Sequence, residues 1–465
     1  MPLSRTTPGN SPRAVFLALL TAATAGRVAI LLLLRTHWGW QPPYHAVYLQ
    51  PPDWFEPSVN EYLVGQMPGY WAFLRMLRVA PWNVYVAAPV AQTALQILAI
   101  AWLTYRLAAR APQRVRTAAA LAAILGVDPW LCDTAIVMLP ASLTASIFMV
   151  LVERTIEFCG RAAEGAPPSA LLVVSTAGVL GALGTYIRAD FATYAALPAA
   201  GIALVTWLSG ARSWQWAVSY GVTGAIAAGL LVIGLLLPRA TYLRVHTGSF
   251  TLTTNAAGGG FWFGLGEIAN PWNIPDPETG DDPIEEFGRA HGHPFAYASK
   301  QTSAFFMSLF LADVREHPSA LVKVIVARLH RVMLGWPPSA VSFSHDYEMA
   351  PEIGRLGEQL RHEPWYRLLW TREYGPWVVK QLGLRSLGTA LLWVLPVTAL
   401  WYFGRRARET PLLLIPALAY AVGTGVFVLV HWSFRYGQQF YWLGWLALYL
   451  LGEASARRAV RYQIQ

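Results

Sequence analysis

Residues 215–237 read QWAVSYGVTGAIAAGLLVIGLLL, 23 positions without a charged side chain. As an α-helix, at 1.5 Å per residue, this stretch is about 35 Å long and covers the roughly 30 Å hydrocarbon core of a bilayer. The rest of the chain repeats the pattern. Apolar segments of this kind fall at roughly 14–35, 83–105, 117–131, 135–152, 169–187, 192–208, 215–237, 386–403, 411–430 and 437–452. The expected fold class is therefore an all-α polytopic membrane protein of about ten transmembrane helices, with a large extracytoplasmic region between the seventh and eighth.

Composition agrees with that class. Hydrophobic residues make up 55% of the chain and charged residues 13%, with a mean hydropathy of +0.37; a soluble domain carries about 25% charged residues. The net charge is +9 and the pI about 9.6, but the cations sit in short clusters between apolar runs, so topology explains them better than nucleic acid does. Cys132 and Cys159 lie far apart in the sequence, which argues against a disulfide framework or a thiolate metal site. Arg5 and Arg13 precede the first apolar run as in a signal peptide, yet no small-residue cleavage site follows Leu34. A retained first helix is expected.

The cations also set the expected orientation. With a cytoplasmic N-terminus, the inside loops hold Arg106, Arg110, Arg114 and Arg116, then Arg154 and Arg161, then Arg212, then Arg405, Arg406 and Arg408, then Arg457, Arg458 and Arg461. Every short inside loop is then positive, as the positive-inside rule requires. Both termini become cytoplasmic, and an integral protein of a bacterial inner membrane is expected. The chain divides into an N-terminal membrane domain at 1–238 with a first outer loop at 36–82, an outer region at 239–385, and C-terminal membrane helices at 386–465. This threading brings Asp128 and Asp133, Arg188 and Asp190, and His431 and Arg435 to one membrane face. Arg27 is the main charge inside a helix, so a site at the outer interface fits better than a midplane transport site.

Several short stretches carry a resemblance. They are Met67-Pro68-Gly69-Tyr70 followed by Trp71-Ala72-Phe73-Leu74, Gly184-Thr185-Tyr186-Ile187-Arg188, Thr251-Leu252-Thr253-Thr254-Asn255 with Gly258 to Gly260, His317-Pro318, and Phe434-Arg435-Tyr436. In their order and topological side they resemble the GT-C glycosyltransferases, multispanning enzymes related to protein O-mannosyltransferases and aminoarabinose transferases. The resemblance implies transfer of a sugar from a polyprenyl-phosphate donor to an extracytoplasmic acceptor, a lipid, glycan or protein, with inversion at the anomeric carbon. It also implies a catalytic carboxylate in the first outer loop, where Asp53, Glu56 and Glu61 are available. A phosphate leaving group needs little acid help, whereas a base on the acceptor is often worth about 100-fold to 10,000-fold. Relatives place a longer stretch between the acid and Pro-Gly-Tyr than Glu61-Tyr62 allows here. Glu56 is favoured, with Glu61 and Asp53 as alternatives, and a solvated loop carboxylate is the plain reading of each.

Asp133 is a second acidic candidate, which leaves room for a divalent cation but does not call for one; no metal site or cofactor is assigned. Its plain alternative is a cap on the next helix. Arg435 and Arg188 are the expected donor-phosphate ligands, because a planar guanidinium pairs with phosphate oxygens; snorkelling to headgroups is the alternative. Tyr62, Asn255 and Tyr436 are expected in the substrate loops.

Three further segments have plainer readings. Gly258 to Gly266 lacks a strand-to-helix context and a Walker lysine, so it is read as a flexible turn whose aromatics stack on sugar or sit at the interface, not as a nucleotide loop. The acidic stretch 276–300, with His291 and His293, matches no metal-ligand spacing and reads as a solvated loop. Segment 317–336 spaces Leu321, Val324, Ile325, Leu329 and Val332 helically, with Lys323, Arg328 and Arg331 between them. It is expected to be an amphipathic helix, either on the outer leaflet or packed on the membrane domain. Two other function classes stay open, a lipid or polysaccharide-precursor transporter or flippase, and a noncatalytic GT-C-like scaffold.

Overall fold

A computed structural model describes residues 11–38, 67–78, 84–136, 140–254, 257–268, 271–272, 274, 300–334, 375–405, 411–430 and 437–464. Among them there is no strand. The helices are α1 (Pro12–Trp38), α2 (Pro68–Arg78), α3 (Val84–Arg110), α4 (Val115–Val127), α5 (Pro129–Ile136), α6 (Ala141–Ala163), α7 (Ala170–Ile187) and α8 (Leu197–Leu208). They continue as α9 (Trp214–Thr247), α10 (Ala257–Gly264), α11 (Lys300–Glu316), α12 (Pro318–Leu334), α13 (Gly375–Arg405), α14 (Ile415–Leu429) and α15 (Trp442–Ile464).

Five helical segments are long and apolar enough to cross a membrane: Val86–Arg110, Ala170–Ile187, Ala189–Leu208, Trp214–Thr247 and Pro411–Leu429. Pro112–Val127 with Pro129–Ala135 makes a sixth if the pair, bent by 54°, counts as one span. The expected straight span at 117–131 is thus broken at Asp128, where Pro129 removes a backbone donor and opens a new helix. The bundle exposes apolar faces and buries several polar side chains within a mostly apolar core. Val218, Val222, Ile226 and Leu230 expose one ridge of α9, while Arg27, Gln92, Gln96 and Glu153 are buried. Apolar outer faces with polar groups held inside suit lipid as solvent, where dispersion and interhelical hydrogen bonds, not water exclusion, hold helices together.

Close contacts follow the same rule. α1 packs most extensively on α4, and a Cβ on Gly126 would lie 2.5 Å from the Ala23 carbonyl. Between α3 and α6 the contact is ionic. Arg106 Nε meets Glu153 Oε1 at 3.2 Å, Arg106 Nη2 meets Glu157 at 2.8 Å, and Arg154 reaches Glu153 at 2.6 Å and Glu157 at 2.7 Å. Arg154 is therefore not in a loop as expected but within α6, neutralised by neighbouring carboxylates. α9 also outruns its expected end. It continues through Pro238 to Thr247 and stops at Gly248, whose φ of +71° provides a left-handed cap. Arg239 then donates to the carbonyls of Thr251 and Leu252 at 3.2 and 3.1 Å, folding the next segment back along the helix.

The glycine-rich run is helical rather than a turn. Residues 257–264 form α10, laid so closely on α11 that a Cβ on Gly258 would strike the Ser303 carbonyl. Trp262 and Phe263 are buried against Phe306, and Trp262 Nε1 donates to Asp313 at 3.0 Å. α12 packs on the membrane helices, the second of its two expected settings. Its buried face is Val324, Arg328 and Val332, with Leu321 and Ile325 half-buried, whereas Leu329 is exposed.

Candidate functional site

Pro68-Gly69-Tyr70 opens α2 and places that helix between two others. Proline is accommodated at the first helical position because its missing N–H would have no partner there. A Cβ on Gly69 would lie 2.6 Å from the Tyr186 carbonyl, so α2 can approach the end of α7 this closely only with glycine. On the other side, the Tyr70 hydroxyl donates to Gln92 Oε1 at 2.7 Å, and Gln92 Nε2 donates to the Ala135 carbonyl at 3.0 Å. One turn further along α3, Gln96 Nε2 donates to Thr134 Oγ1 at 2.9 Å. Both glutamines are fully buried. The motif thereby joins the helix end that carries Arg188 to the short helix that carries Asp133.

Asp133 is 1% exposed and lies within α5. It does not cap the following helix, whose start makes no side-chain capping bond. Capping is done by Asp128 instead. Asp128 Oδ1 accepts from the Leu131 N–H at 2.9 Å, closing the first turn of α5, and Oδ2 accepts from Trp445 Nε1 of α15 at 3.0 Å. From α1, Arg27 donates to the Leu131 carbonyl at 3.2 Å and is 0% exposed. The break is therefore held from two sides, by α1 and by α15.

Arg188 ends α7 in an extended conformation, and the chain turns into a 3-10 segment, Ala189–Ala196. Its Nε meets Asp190 Oδ1 at 2.8 Å, both side chains being 14% exposed, and its guanidinium lies 5.4 Å from the Phe427 ring of α14. The Tyr194 hydroxyl lies 2.9 Å from Asp190 Oδ2. Arg188 thus sits at the rim of the bundle with Asp190 as counter-ion, next to the end of α14.

Asp53, Glu56, Glu61, Tyr62, Asn255, Arg435 and Tyr436 lie outside the described residues, as do His431, His291, His293 and the acidic stretch 276–299. Among the described residues, no group of three His, Cys, Asp or Glu side chains is placed to hold a metal ion. Sequence reasoning missed Gln92 and Gln96, although two amides four apart in an apolar span put both on one helix face and were a readable signal. It also missed Glu267, the buried partner of Arg328, which sits 61 residues away. No protein-family model matches this chain, and no curated protein matches it.

Proposed function

We propose that the chain is a GT-C-like glycosyltransferase of a bacterial inner membrane that moves a sugar from a polyprenyl-phosphate donor to an extracytoplasmic acceptor. The observation that carries this reading is the setting of Pro68-Gly69-Tyr70. Its glycine touches the end of α7 one and two residues before Arg188, and its tyrosine reaches α5 beside Asp133 through Gln92. In this reading ten crossings leave both termini cytoplasmic. The donor phosphate docks beside Arg435 and Arg188, and one of Asp53, Glu56 and Glu61 deprotonates the acceptor, which attacks the anomeric carbon directly and inverts it. Asp133 is a second acid for holding the acceptor or a divalent ion.

A specific observation favours transport as the second reading. Arg27 Nε and Nη2, Gln96 Oε1 and Gln439 Nε2 are buried without a hydrogen-bond partner, and polar groups inside a membrane bundle also mark ion and substrate paths.

Sugar release from a panel of radiolabelled polyprenyl-phosphate sugars, by the full chain in lipid nanodiscs, tests the transferase. Turnover that is lost in Arg435→Ala and in an Asp53, Glu56, Glu61 triple amide variant supports it. A folded protein that turns over no donor, or a triple variant with full activity, overturns it. Solute flux into proteoliposomes without sugar release would establish the second reading.

A further inference from the structure

The chain turns sharply where α7 ends. Arg188 is extended, at φ −153° and ψ 125°, and the 3-10 segment Ala189–Ala196 follows at once. Two residues on, Asp190 comes back to the guanidinium, with Oδ1 2.8 Å from Arg188 Nε. Its other oxygen is held as well, because Oδ2 accepts from the Tyr194 hydroxyl at 2.9 Å.

Tyr194 is fixed by its surroundings. It is fully buried, and its ring lies 5.1 Å from that of Phe148 of α6 and 6.0 Å from that of Phe440. Its hydroxyl also lies 3.2 Å from the Gly423 carbonyl of α14, but it has one proton to give, and an ionised carboxylate is the stronger acceptor. One helical turn beyond Gly423, Phe427 supplies the ring 5.4 Å from the Arg188 guanidinium. α14 therefore backs both Arg188 and Tyr194, with Asp190 between them. The two charged side chains each keep 14% of their surface exposed, so an approaching ligand can still reach the guanidinium.

We propose that Asp190, anchored by Tyr194, is the positioning residue that orders Arg188 for the phosphate of a polyprenyl-phosphate lipid. This rests on the transferase reading above, in which that phosphate docks beside Arg188. An unrestrained arginine loses rotamer entropy when it meets a ligand, whereas one ordered beforehand does not. The geometry favours this role over that of a simple counter-ion. A counter-ion needs only to be near, but here both carboxylate oxygens are fixed, one on the guanidinium and one on a buried hydroxyl. The two roles also differ in sign: a counter-ion competes with the phosphate, so its removal tightens binding, and a positioning residue supports the phosphate, so its removal weakens binding.

The test uses the full chain in phosphatidylglycerol nanodiscs, so that ordinary anionic headgroups are in excess, with retained undecaprenyl phosphate read by native mass spectrometry. The wild type should retain it, and Arg188→Ala should not. Tyr194→Phe alters no charge and keeps the ring, and it should lower retention about tenfold. Asp190→Asn should lower retention too, although the site becomes more positive. Tyr420→Phe removes another buried hydroxyl bond, to the Val332 carbonyl at 2.6 Å, and should leave retention unchanged. Retention unchanged in Tyr194→Phe, raised in Asp190→Asn, or lowered equally in Tyr194→Phe and Tyr420→Phe would overturn the positioning role and leave phosphate docking intact. No retention by the wild type, or retention indifferent to Arg188→Ala, would overturn the docking itself, and the positioning role with it.

Discussion

Arg328 of α12 and Glu267 of the turn after α10 pair at 3.2 Å, with each side chain 1% exposed. A Cβ on Gly264 would strike both Arg328 Nη2 and the Val430 carbonyl, so glycine is what lets the guanidinium lie between α10 and the end of α14. One residue thereby joins α12 and the turn after α10 to the end of α14.

Removing one member of this pair takes from the other buried charge its counter-ion at 3.2 Å. Glu267→Gln and Arg328→Met are each expected to cost about 3–5 kcal/mol. The double variant Glu267→Gln/Arg328→Met should cost less than the sum, because neither orphaned charge remains. Thermal unfolding in one detergent, run as a double-mutant cycle, measures the coupling. Additive losses would mean the pair contributes nothing as a pair.

The contacts of α2 separate packing from hydrogen bonding. Gly69→Ala forces α2 away from the Tyr186 carbonyl and should destabilise by about 1–3 kcal/mol. Tyr70→Phe keeps the packing but leaves Gln92 Oε1 without this donor in a buried setting, at about 1–3 kcal/mol. Proteolysis of α2 distinguishes them. Gly69→Ala should expose Arg75 and Arg78 to trypsin, and Tyr70→Phe should not.

The class of this fold was legible because lipid as solvent demands long charge-poor helices, and residues such as 215–237 state it directly. The break at Asp128 was harder. Asp128-Pro129 reads equally well as a turn between two spans, and what decides for a bend is contact with Arg27 and Trp445, 101 residues before and 317 residues after. Arg328 was misread for a related reason: on a helical projection a cation marks the polar face unless a distant carboxylate is waiting in the core. Gly258 to Gly264 signalled a turn because glycine disfavours helices by about 1 kcal/mol per residue, but close packing on α11 requires small residues and outweighs that preference. At the candidate site, the position of Asp133 near a helix junction and Arg188 at a helix end were readable from span boundaries. The amides that link them were readable too, but only as an i, i+4 pair that had no assigned role.

Asp313 gives a pH prediction outside the membrane-spanning segments. Burial raises its carboxyl above the ordinary range, against the opposing effect of the hydrogen bond from Trp262 Nε1. The folded chain then holds this proton more tightly than the unfolded chain does. The contribution to stability is complete below the unfolded value of about 3.9 and is lost as pH rises through the folded value. Asp313→Asn keeps an acceptor for Trp262 and cannot ionise. Its melting temperature should exceed that of the wild type at neutral pH, and the difference should shrink on acidification. A constant difference across this window would assign the effect to something other than the charge.

Arg27 and Asp128 act on the same residue of α5, Leu131, from opposite directions. Arg27 donates to the Leu131 carbonyl, Asp128 accepts from the Leu131 amide, and the two side chains lie within electrostatic reach of one another. Arg27→Met removes a buried cation and one hydrogen bond, leaving Asp128 buried without its nearest positive charge. Asp128→Asn removes the negative charge while its Oδ1 can still cap α5. If the two charges compensate each other, the double variant should be more stable than the sum of the singles predicts, by about 0.5–3 kcal/mol. Arg27→Lys keeps the charge but not the reach and geometry of the guanidinium that meets the Leu131 carbonyl, so it should recover only part of the loss in Arg27→Met. Unfolding midpoints of the four proteins decide the matter. Strict additivity would show that Arg27 holds α5 through its hydrogen bond alone, and that the charge of Asp128 is carried by Trp445 and the backbone.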